Sequence, residues 1–252
     1  MRLLTLYAVL VYAFLHLPLL VLSVFSFNQS RFTKWEGFSL RWYAQAFWDP
    51  ALREATLNSL LIGGAATVLA TIAGTLCAYA LWKRKSPAVS STLYLSLMTP
   101  EIVTGVALLA FYQWLFRFLN LHLGMFTVIM AHVSFCLAYV VIVVIARLRT
   151  MDGTLEEAAL DLGANEFKAF YLVTLPQLAP AIVSAALLAF TISFDDFVIT
   201  SMVAGVDSET LPMVMYATAR RGVSPVLNAV STIIVLGLGV LILLSERLQA
   251  KT

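Results

Sequence analysis

Three carboxylates stand within or beside the most apolar parts of the sequence. Glu101 is the only charged residue between 86 and 116, and Asp195 and Asp196 directly follow the uncharged run 169–194. A charge at the centre of a bilayer costs on the order of 2.5 kcal/mol or more, so such an acid normally faces a cavity or a solute path. These carboxylates would attract cations. The alternatives are a protonated or hydrogen-bonded structural acid at Glu101 and a helix end at headgroup level for the aspartates.

The two aspartates are expected to do different things. Consecutive residues of a helix point about 100° apart, so Asp195 and Asp196 cannot line one cavity equally. We expect one of them to face the path while the other caps a helix or pairs. The sequence does not choose between them.

A polar segment, EEAALDLGANEFKAFYLVTLP, separates two apolar runs at 156–176. Thr154 and Glu157 have the spacing of a capping box, in which each residue bonds the amide of the other. Gly163 is typical of a helix stop, and Asn165 is a candidate cap for a second helix. The segment therefore predicts a helix, a glycine turn and a second helix that ends before Pro176.

The two predicted helices of this segment have different faces. Ala158 and Ala159 give the first a small-residue face, and Phe167 belongs to an aromatic face on the second. One interpretation is an amphipathic hairpin at the membrane interface that only connects two spans. The other is a docking surface for a partner, because buried aromatic side chains commonly anchor interfaces.

The composition points to a membrane protein. Hydrophobic residues make up 61% of the chain and charged residues 12%, about half of what a soluble domain carries. Each long uncharged run reaches the roughly 20 residues that a helix needs to cross the hydrocarbon core. We predict an all-α membrane protein with one domain, 1–252, and no cleaved leader. The predicted spans are 4–27, 56–82, 90–115, 125–146, 177–200 and 226–245.

The distribution of basic residues predicts the orientation. Lys83-Arg84-Lys85, Arg147 and Arg149 lie directly against span ends, as is typical of cytoplasmic loops. The segment 150–176 then also lies in the cytoplasm. An even number of spans puts both termini on that side. The small net charge of +2 does not indicate a nucleic-acid partner.

The first outside segment, 28–54, is rich in aromatic residues, among them Trp42. An aromatic belt at headgroup depth explains this composition. A surface that meets a partner or a cation is the alternative, with Trp42 as a candidate contact on the substrate path.

The polar segment resembles the EAA signature of ABC importer permeases. Glu157-Ala158-Ala159, Gly163 and Leu175-Pro176 stand at the family's spacing, and Val173 replaces the usual isoleucine. The resemblance implies the type I importer permease fold, with 150–176 as a cytoplasmic coupling helix that docks on a separate ATPase. It implies coupling roles for a set of seven residues: Glu157, Ala158, Ala159, Gly163, Phe167, Leu175 and Pro176.

Further blocks along the chain resemble the spermidine/putrescine branch, specifically the second of its two paired permease subunits. They include TPEIVTG from Thr99, SFDDFVITSMVAG from Ser193 and GVSPVLNA from Gly222. The resemblance implies substrate-pathway roles for Glu101, Ser193, Asp195 and Asp196. It also implies the partners: a sister permease, two copies of an ATPase that binds ATP and Mg²⁺, and a periplasmic or extracellular substrate-binding protein. The location implied is the bacterial inner membrane.

Other functions fit less well. The sequence lacks the G-x-x-x-x-G-K-[ST] phosphate loop, so ATP hydrolysis is assigned to a partner and no catalytic, cofactor or metal residues are predicted in this chain. An importer permease for another small cationic or organic solute is the alternative within the class. A secondary transporter would show repeat symmetry, which we do not find. An intramembrane aspartyl protease using Glu101 and Asp195 would need a G-x-G-D or Y-D motif, and neither occurs.

Overall fold

The computed structural model describes residues 2–31, 34–119, 121–222 and 224–249, and within them helices are the only extended regular elements. Twelve helices follow one another along the described chain. They are α1 Arg2–Phe25, α2 Arg41–Trp48, α3 Pro50–Lys83, α4 Pro87–Met98, α5 Glu101–Leu119, α6 Met125–Leu148, α7 Thr154–Asp161, α8 Glu166–Ala169, α9 Leu175–Asp195, α10 Val198–Val203, α11 Leu211–Arg220 and α12 Pro225–Gln249.

The long helices coincide with predicted spans. α1, α3, α6 and α9 are each long and apolar enough to cross a membrane. The sixth predicted span lies in α12, whose described apolar part is Pro225–Val240. The all-α class is confirmed, and the helices are compatible with six spans.

The third predicted span is broken. α4 and α5 meet at an angle of 110°, with Thr99 and Pro100 at the break. Proline has no N–H for a helical hydrogen bond, and it disfavours helical backbone in the residue before it. Thr99 is accordingly extended, with φ −72° and ψ 129°. The chain therefore bends at Pro100, and Glu101 does not lie inside a continuous helix. It begins α5.

The chain divides into two compact units, and the single domain 1–252 stays a prediction. The first contains Met1–Thr56 and Met213–Leu241, and the second contains Leu57–Pro212 and Ile242–Thr252. In the first unit, the described side chains of α1 from Leu3 to Val21 are exposed, as expected of a helix that faces lipid.

The core of the second unit lies where α6 packs on α9 and α3. Val140 and Val144 of α6 are fully buried in this cluster with Ala185 of α9. α3 approaches α6 closely, because a Cβ at Gly74 would lie 2.7 Å from the Val140 Cγ1 atom. The small residues of α3 thus serve helix packing. A second cluster joins α10 to α5 and α6 through Ile199, Tyr112 and other side chains.

The part of α3 that belongs to the second unit, from Leu57 onward, extends from one end of that unit to the other. Near its start, the Asn58 side chain donates to the Glu209 carbonyl oxygen at 3.0 Å. Near its other end, the Tyr79 hydroxyl donates to a carboxylate oxygen of Glu156 at 2.6 Å. Twenty-one residues of helix span about 30 Å, which is the thickness of the hydrocarbon core. The polar segment and the loop before α11 therefore lie at opposite ends.

Candidate functional site: two broken spans and the loop 150–176

The predicted pathway acids lie at the breaks of two helices. Glu101 is exposed in the first turn of α5, directly after the break that follows α4. Asp195 is exposed at the last position of α9, and two residues separate α9 from α10. The C-terminus of a helix carries a partial negative charge, which adds to the charge of a carboxylate placed there. The end of α9 therefore strengthens the attraction of Asp195 for a cation, whereas Glu101, at the N-terminus of α5, attracts a cation through its own charge.

Asp196 is engaged inside the protein. Its side chain is 6% exposed, and its Oδ2 atom accepts hydrogen bonds from the Thr200 amide at 2.8 Å and the Thr200 hydroxyl at 2.7 Å. The His132 Nε2 atom of α6 lies 3.5 Å from the same oxygen. Asp196 therefore caps and pairs, as expected of one of the two aspartates, whereas Asp195 is exposed. That Asp195 faces the path stays a prediction.

Ser193 is buried rather than exposed. Its hydroxyl lies 2.7 Å from the His132 Nδ1 atom, and the other ring nitrogen of His132 lies 2.9 Å from the Thr200 hydroxyl. Sequence reasoning did not single out His132 or Thr200. The only signal was a histidine inside an apolar run.

Trp42 is buried in the first compact unit, whereas the other predicted pathway residues belong to the second. It is 3% exposed, and its indole N–H donates to the Asn28 carbonyl oxygen at 2.7 Å. The Arg41 guanidinium lies 3.9 Å from the centre of its ring. Its face thus already meets a cation of the same chain. A role on the substrate path stays a prediction.

The polar segment folds largely as expected. Gly163 ends the first helix with φ +89°, a conformation that side chains rarely adopt. The Asn165 side chain accepts from the Lys168 amide at 2.8 Å, which confirms the second cap. The capping box at Thr154 is wrong, because the Asp152 side chain accepts from the Thr154 amide at 3.0 Å instead.

The end of the segment also differs from the prediction. A π-helical turn, Phe170–Thr174, joins α8 directly to α9. Pro176 therefore does not precede the fifth span but lies within the first turn of α9, where a missing N–H is tolerated. Leu175 is the first residue of that helix.

The segment carries an exposed apolar surface. Leu162 is 90% exposed and Phe167 is 73% exposed, and Phe167 stacks on Tyr171 with ring centres 6.3 Å apart. Glu157 and Ala158 are exposed, and Ala159 is partly covered. This exposed surface of the segment includes the predicted coupling residues Glu157, Ala158 and Phe167 and is available to a partner.

Glu156, one residue before the EAA pattern, is the acid that holds α7 in place. It is 3% exposed, and its carboxylate lies 2.8 Å from the Lys83 ammonium. The Tyr79 and Thr174 hydroxyls donate to it at 2.6 Å and 2.9 Å. One carboxylate thus joins α7 to the end of α3 and to the π turn before α9. Sequence reasoning missed this role, because its partners are distant in sequence.

The pKa of Glu156 reflects these partners. Burial raises the pKa of the carboxyl, but the bonds from Lys83, Tyr79 and Thr174 together outweigh burial. The pKa therefore lies below its ordinary value, and Glu156 is ionised at neutral pH.

The pathway acids and the loop lie far apart. α9 begins beside Thr174 and ends at Asp195, and its 21 residues extend over about 30 Å. α9 thus links the two regions mechanically. Among the described residues, no group of three His, Cys, Asp or Glu side chains is placed to hold a metal ion.

Comparisons with known proteins agree with this arrangement. The sequence profile of the family described as "binding-protein-dependent transport system inner membrane component" matches residues 66–251. The chain is 40% identical to the putrescine transport system permease protein PotI of Escherichia coli K12, over 95% of this chain and 88% of PotI. It is 41% identical to the spermidine/putrescine transport system permease protein PotC of Haemophilus influenzae, over 96% of this chain and 94% of PotC.

The fold is also found in a solved structure. A chain of a bacterial alginate ABC transporter, in complex with an alginate pentasaccharide-bound periplasmic protein, matches with a TM-score of 0.78 and 16% identity. The match covers 99% of this chain and 95% of that chain. At this identity the likeness concerns the fold alone.

Proposed function

Because the chain belongs to the binding-protein-dependent transport system inner membrane component family, we propose that it is a permease subunit of an ATP-driven importer for polyamines. It forms half of the translocation pathway for spermidine or putrescine. The identities of 40% and 41% to PotI and PotC, over nearly the whole chain, support this substrate class.

The observation that carries the proposal is the position of the exposed acids. Glu101 and Asp195 each lie at a break between two helices, on elements of the same compact unit. Helix breaks that line a cavity are a recurrent site for ions in transporters, because helix ends supply partial charge there. Polyamines are flexible chains with several ammonium groups, and separated carboxylates suit them.

α5 and α10, which follow the two breaks, pack on each other. A Cβ at Gly105 would lie 2.8 Å from the Met202 sulfur and 3.5 Å from the Ile199 Cα atom. A rearrangement at one break is therefore transmitted to the other through this contact. This supports alternating access, in which both acids change their exposure together.

Coupling to ATP is assigned to the loop 150–176. The exposed apolar side chains of this loop form a docking surface for a cytoplasmic ATPase, which binds ATP and Mg²⁺. Glu157, Ala158, Ala159 and Gly163 allow close approach and the turn, and Phe167 is the anchor. Glu156 then transmits a displacement of α7 to α3 and to the π turn that leads into α9, because its carboxylate accepts hydrogen bonds from both.

The assembly follows from this function. A sister permease completes the pathway, two ATPase copies bind the coupling helices, and a substrate-binding protein delivers the polyamine from outside. The chain is a multi-pass protein of the bacterial inner membrane, with both termini in the cytoplasm.

Spermidine uptake by the reconstituted complex tests the proposal. Glu101→Gln and Asp195→Asn keep shape and remove charge. Each lost charge contact is worth about 1–3 kcal/mol, so uptake should fall by roughly 5- to 150-fold. Glu54→Gln, an exposed acid of α3, is the matched control and should transport normally. Wild-type uptake by both pathway variants, at equal amounts of assembled complex, would refute a polycation path along these acids.

A further inference from the structure

Four buried polar side chains connect α6 to the break between α9 and α10. Ser193 lies near the end of α9, Asp196 lies in the break, Thr200 lies on α10, and His132 of α6 lies between them. The exposure of His132 is 1% and that of Thr200 is 0%. Such a group costs free energy unless each hydrogen bond is satisfied.

The hydrogen atoms of this group can be accounted for one by one. Thr200 has one hydroxyl hydrogen, and it goes to the Asp196 carboxylate at 2.7 Å. The Thr200 oxygen must then accept from His132 Nε2, which lies 2.9 Å away. With its hydrogen on Nε2, a neutral His132 ring accepts from the Ser193 hydroxyl at Nδ1. The donors run in one direction, from Ser193 through His132 and Thr200 to Asp196.

The carboxylate of Asp196 also holds the start of α10. Its two oxygens accept from the Ile199 amide at 3.4 Å and the Thr200 amide at 2.8 Å. A side chain that bonds the free amides of a first helical turn fixes where that helix begins. The Asp196 carboxylate therefore accepts its hydrogen bonds from within the protein, whereas the neighbouring Asp195 is exposed.

We propose that His132, Ser193 and Thr200 are positioning residues that act through Asp196 to hold the α9–α10 break during the transport cycle, while Asp195 alone of the two aspartates contacts the substrate. We call these four side chains the His132 relay. The proposal rests on the proposed function for the role of Asp195. It gives Asp196 and Ser193 a different task from the direct substrate contact that the sequence suggested.

A neighbouring contact shows what the relay adds to ordinary packing. One turn after His132, the Cys136 thiol approaches the Ala189 carbonyl oxygen at 3.5 Å, and both residues are fully buried between α6 and α9. α6 and α9 thus stay packed without the relay. The second hydrophobic cluster likewise packs α10 on α5 and α6 without the relay. The relay specifically ties the break to these packed helices, so its loss should alter the break and leave the spans assembled.

The test is spermidine uptake by the complete importer in proteoliposomes, with KM and kcat per assembled complex measured separately. Asp195→Asn should raise KM by about tenfold or more and change kcat by less than about twofold. Asp196→Asn, His132→Gln and Thr200→Val should each lower kcat by about tenfold and leave KM within about twofold. Thr200→Ser keeps the hydroxyl and should restore kcat. Thr191→Val, which removes a hydroxyl bonded only to the carbonyl of Leu187 one turn earlier, is the control.

Double variants separate a relay from four independent contacts. His132→Gln combined with Asp196→Asn should be no worse than either change alone, whereas His132→Gln combined with Asp195→Asn should show the product of both effects. A rise in KM for Asp196→Asn comparable with that for Asp195→Asn would overturn the proposal. So would normal kcat in Thr200→Val, or multiplicative effects of the His132 and Asp196 changes.

The same double variants test the relay without reference to the substrate. In thermal unfolding of the assembled complex, the shifts in melting temperature caused by His132→Gln and Asp196→Asn should be strongly non-additive. The shifts caused by His132→Gln and Asp195→Asn should be additive. Additive shifts for the first pair would overturn the relay. If the wild-type complex fails to import spermidine, the polyamine assignment falls while this unfolding experiment still decides on the relay.

Discussion

Replacing Glu156 with alanine should release the coupling helix α7 from the spans while the spans stay folded. The change removes the common acceptor of Lys83, Tyr79 and Thr174. Thr174 is 2% exposed, so its hydroxyl has little access to water once the carboxylate is gone. The Lys83 side chain is 39% exposed and can turn to solvent.

These contacts set the magnitude. A hydrogen bond to a charged group contributes about 1.5–3 kcal/mol, so the two hydroxyl bonds together contribute roughly 3–6 kcal/mol. The half-exposed Lys83 pair adds about 1 kcal/mol or less. Bonds that share one acceptor are not additive, and we expect about 3–4 kcal/mol. The open population of α7 should then rise roughly 100- to 1,000-fold.

Hydrogen–deuterium exchange of the permease in lipid nanodiscs measures this opening. Amides 157–162 should exchange roughly 100- to 1,000-fold faster in Glu156→Ala, since exchange follows the open population. Tyr79→Phe, which removes one bond, should give an intermediate rate. Asp161→Ala is the control, because Asp161 is exposed on the same helix.

Exchange in Glu156→Ala no faster than in Asp161→Ala would refute the anchoring role. Equal acceleration throughout α3, α6 and α9 would also contradict it, because the change would then act on the whole fold rather than on α7.

Three further predictions follow from the same contacts and from two glycines. The pKa of Glu156 lies below its ordinary value of 4.5, so the stabilisation that its ionised carboxylate contributes is present above pH 4.5 and is lost as the pH falls further. The difference in melting temperature between wild type and Glu156→Gln should therefore stay constant from pH 5 to 8 and narrow below pH 4.5. Gly205→Ala should lower the melting temperature and the yield of folded protein, because the added Cβ would lie 1.9 Å from the Leu123 carbonyl oxygen. Gly64→Ala is the control and should change neither, because no atom from outside its own stretch of helix lies within 4 Å of the added Cβ. Gly163→Ala should weaken binding-protein-stimulated ATP hydrolysis more than Gly163→Asn, because φ +89° costs alanine about 1–2 kcal/mol and asparagine tolerates it better.

Local features of the structure could be read from the sequence. Hydropathy located the spans, because a helix in lipid must satisfy its backbone within itself and its surface must be apolar. The bend at Pro100 and the turn at Gly163 follow from the backbone chemistry of single residues. The family itself was recognisable because the EAA pattern is local. One local prediction was wrong. Thr154 was expected to cap α7, but the Asp152 side chain accepts from the Thr154 amide instead. Both residue types can cap a helix, so the sequence does not decide between two that lie so close together.

The tertiary structure decided which polar residues work together. Nothing in the sequence distinguishes Asp195 from Asp196, but His132, more than 60 residues earlier, lies beside only one of them. Glu156 and Glu157 are likewise adjacent acids, and the contact with Lys83 selects the first. Helix periodicity predicts that adjacent residues diverge, but not which neighbour meets a partner. That depends on how α3, α6 and α9 pack, which is set by side chains far apart in the chain.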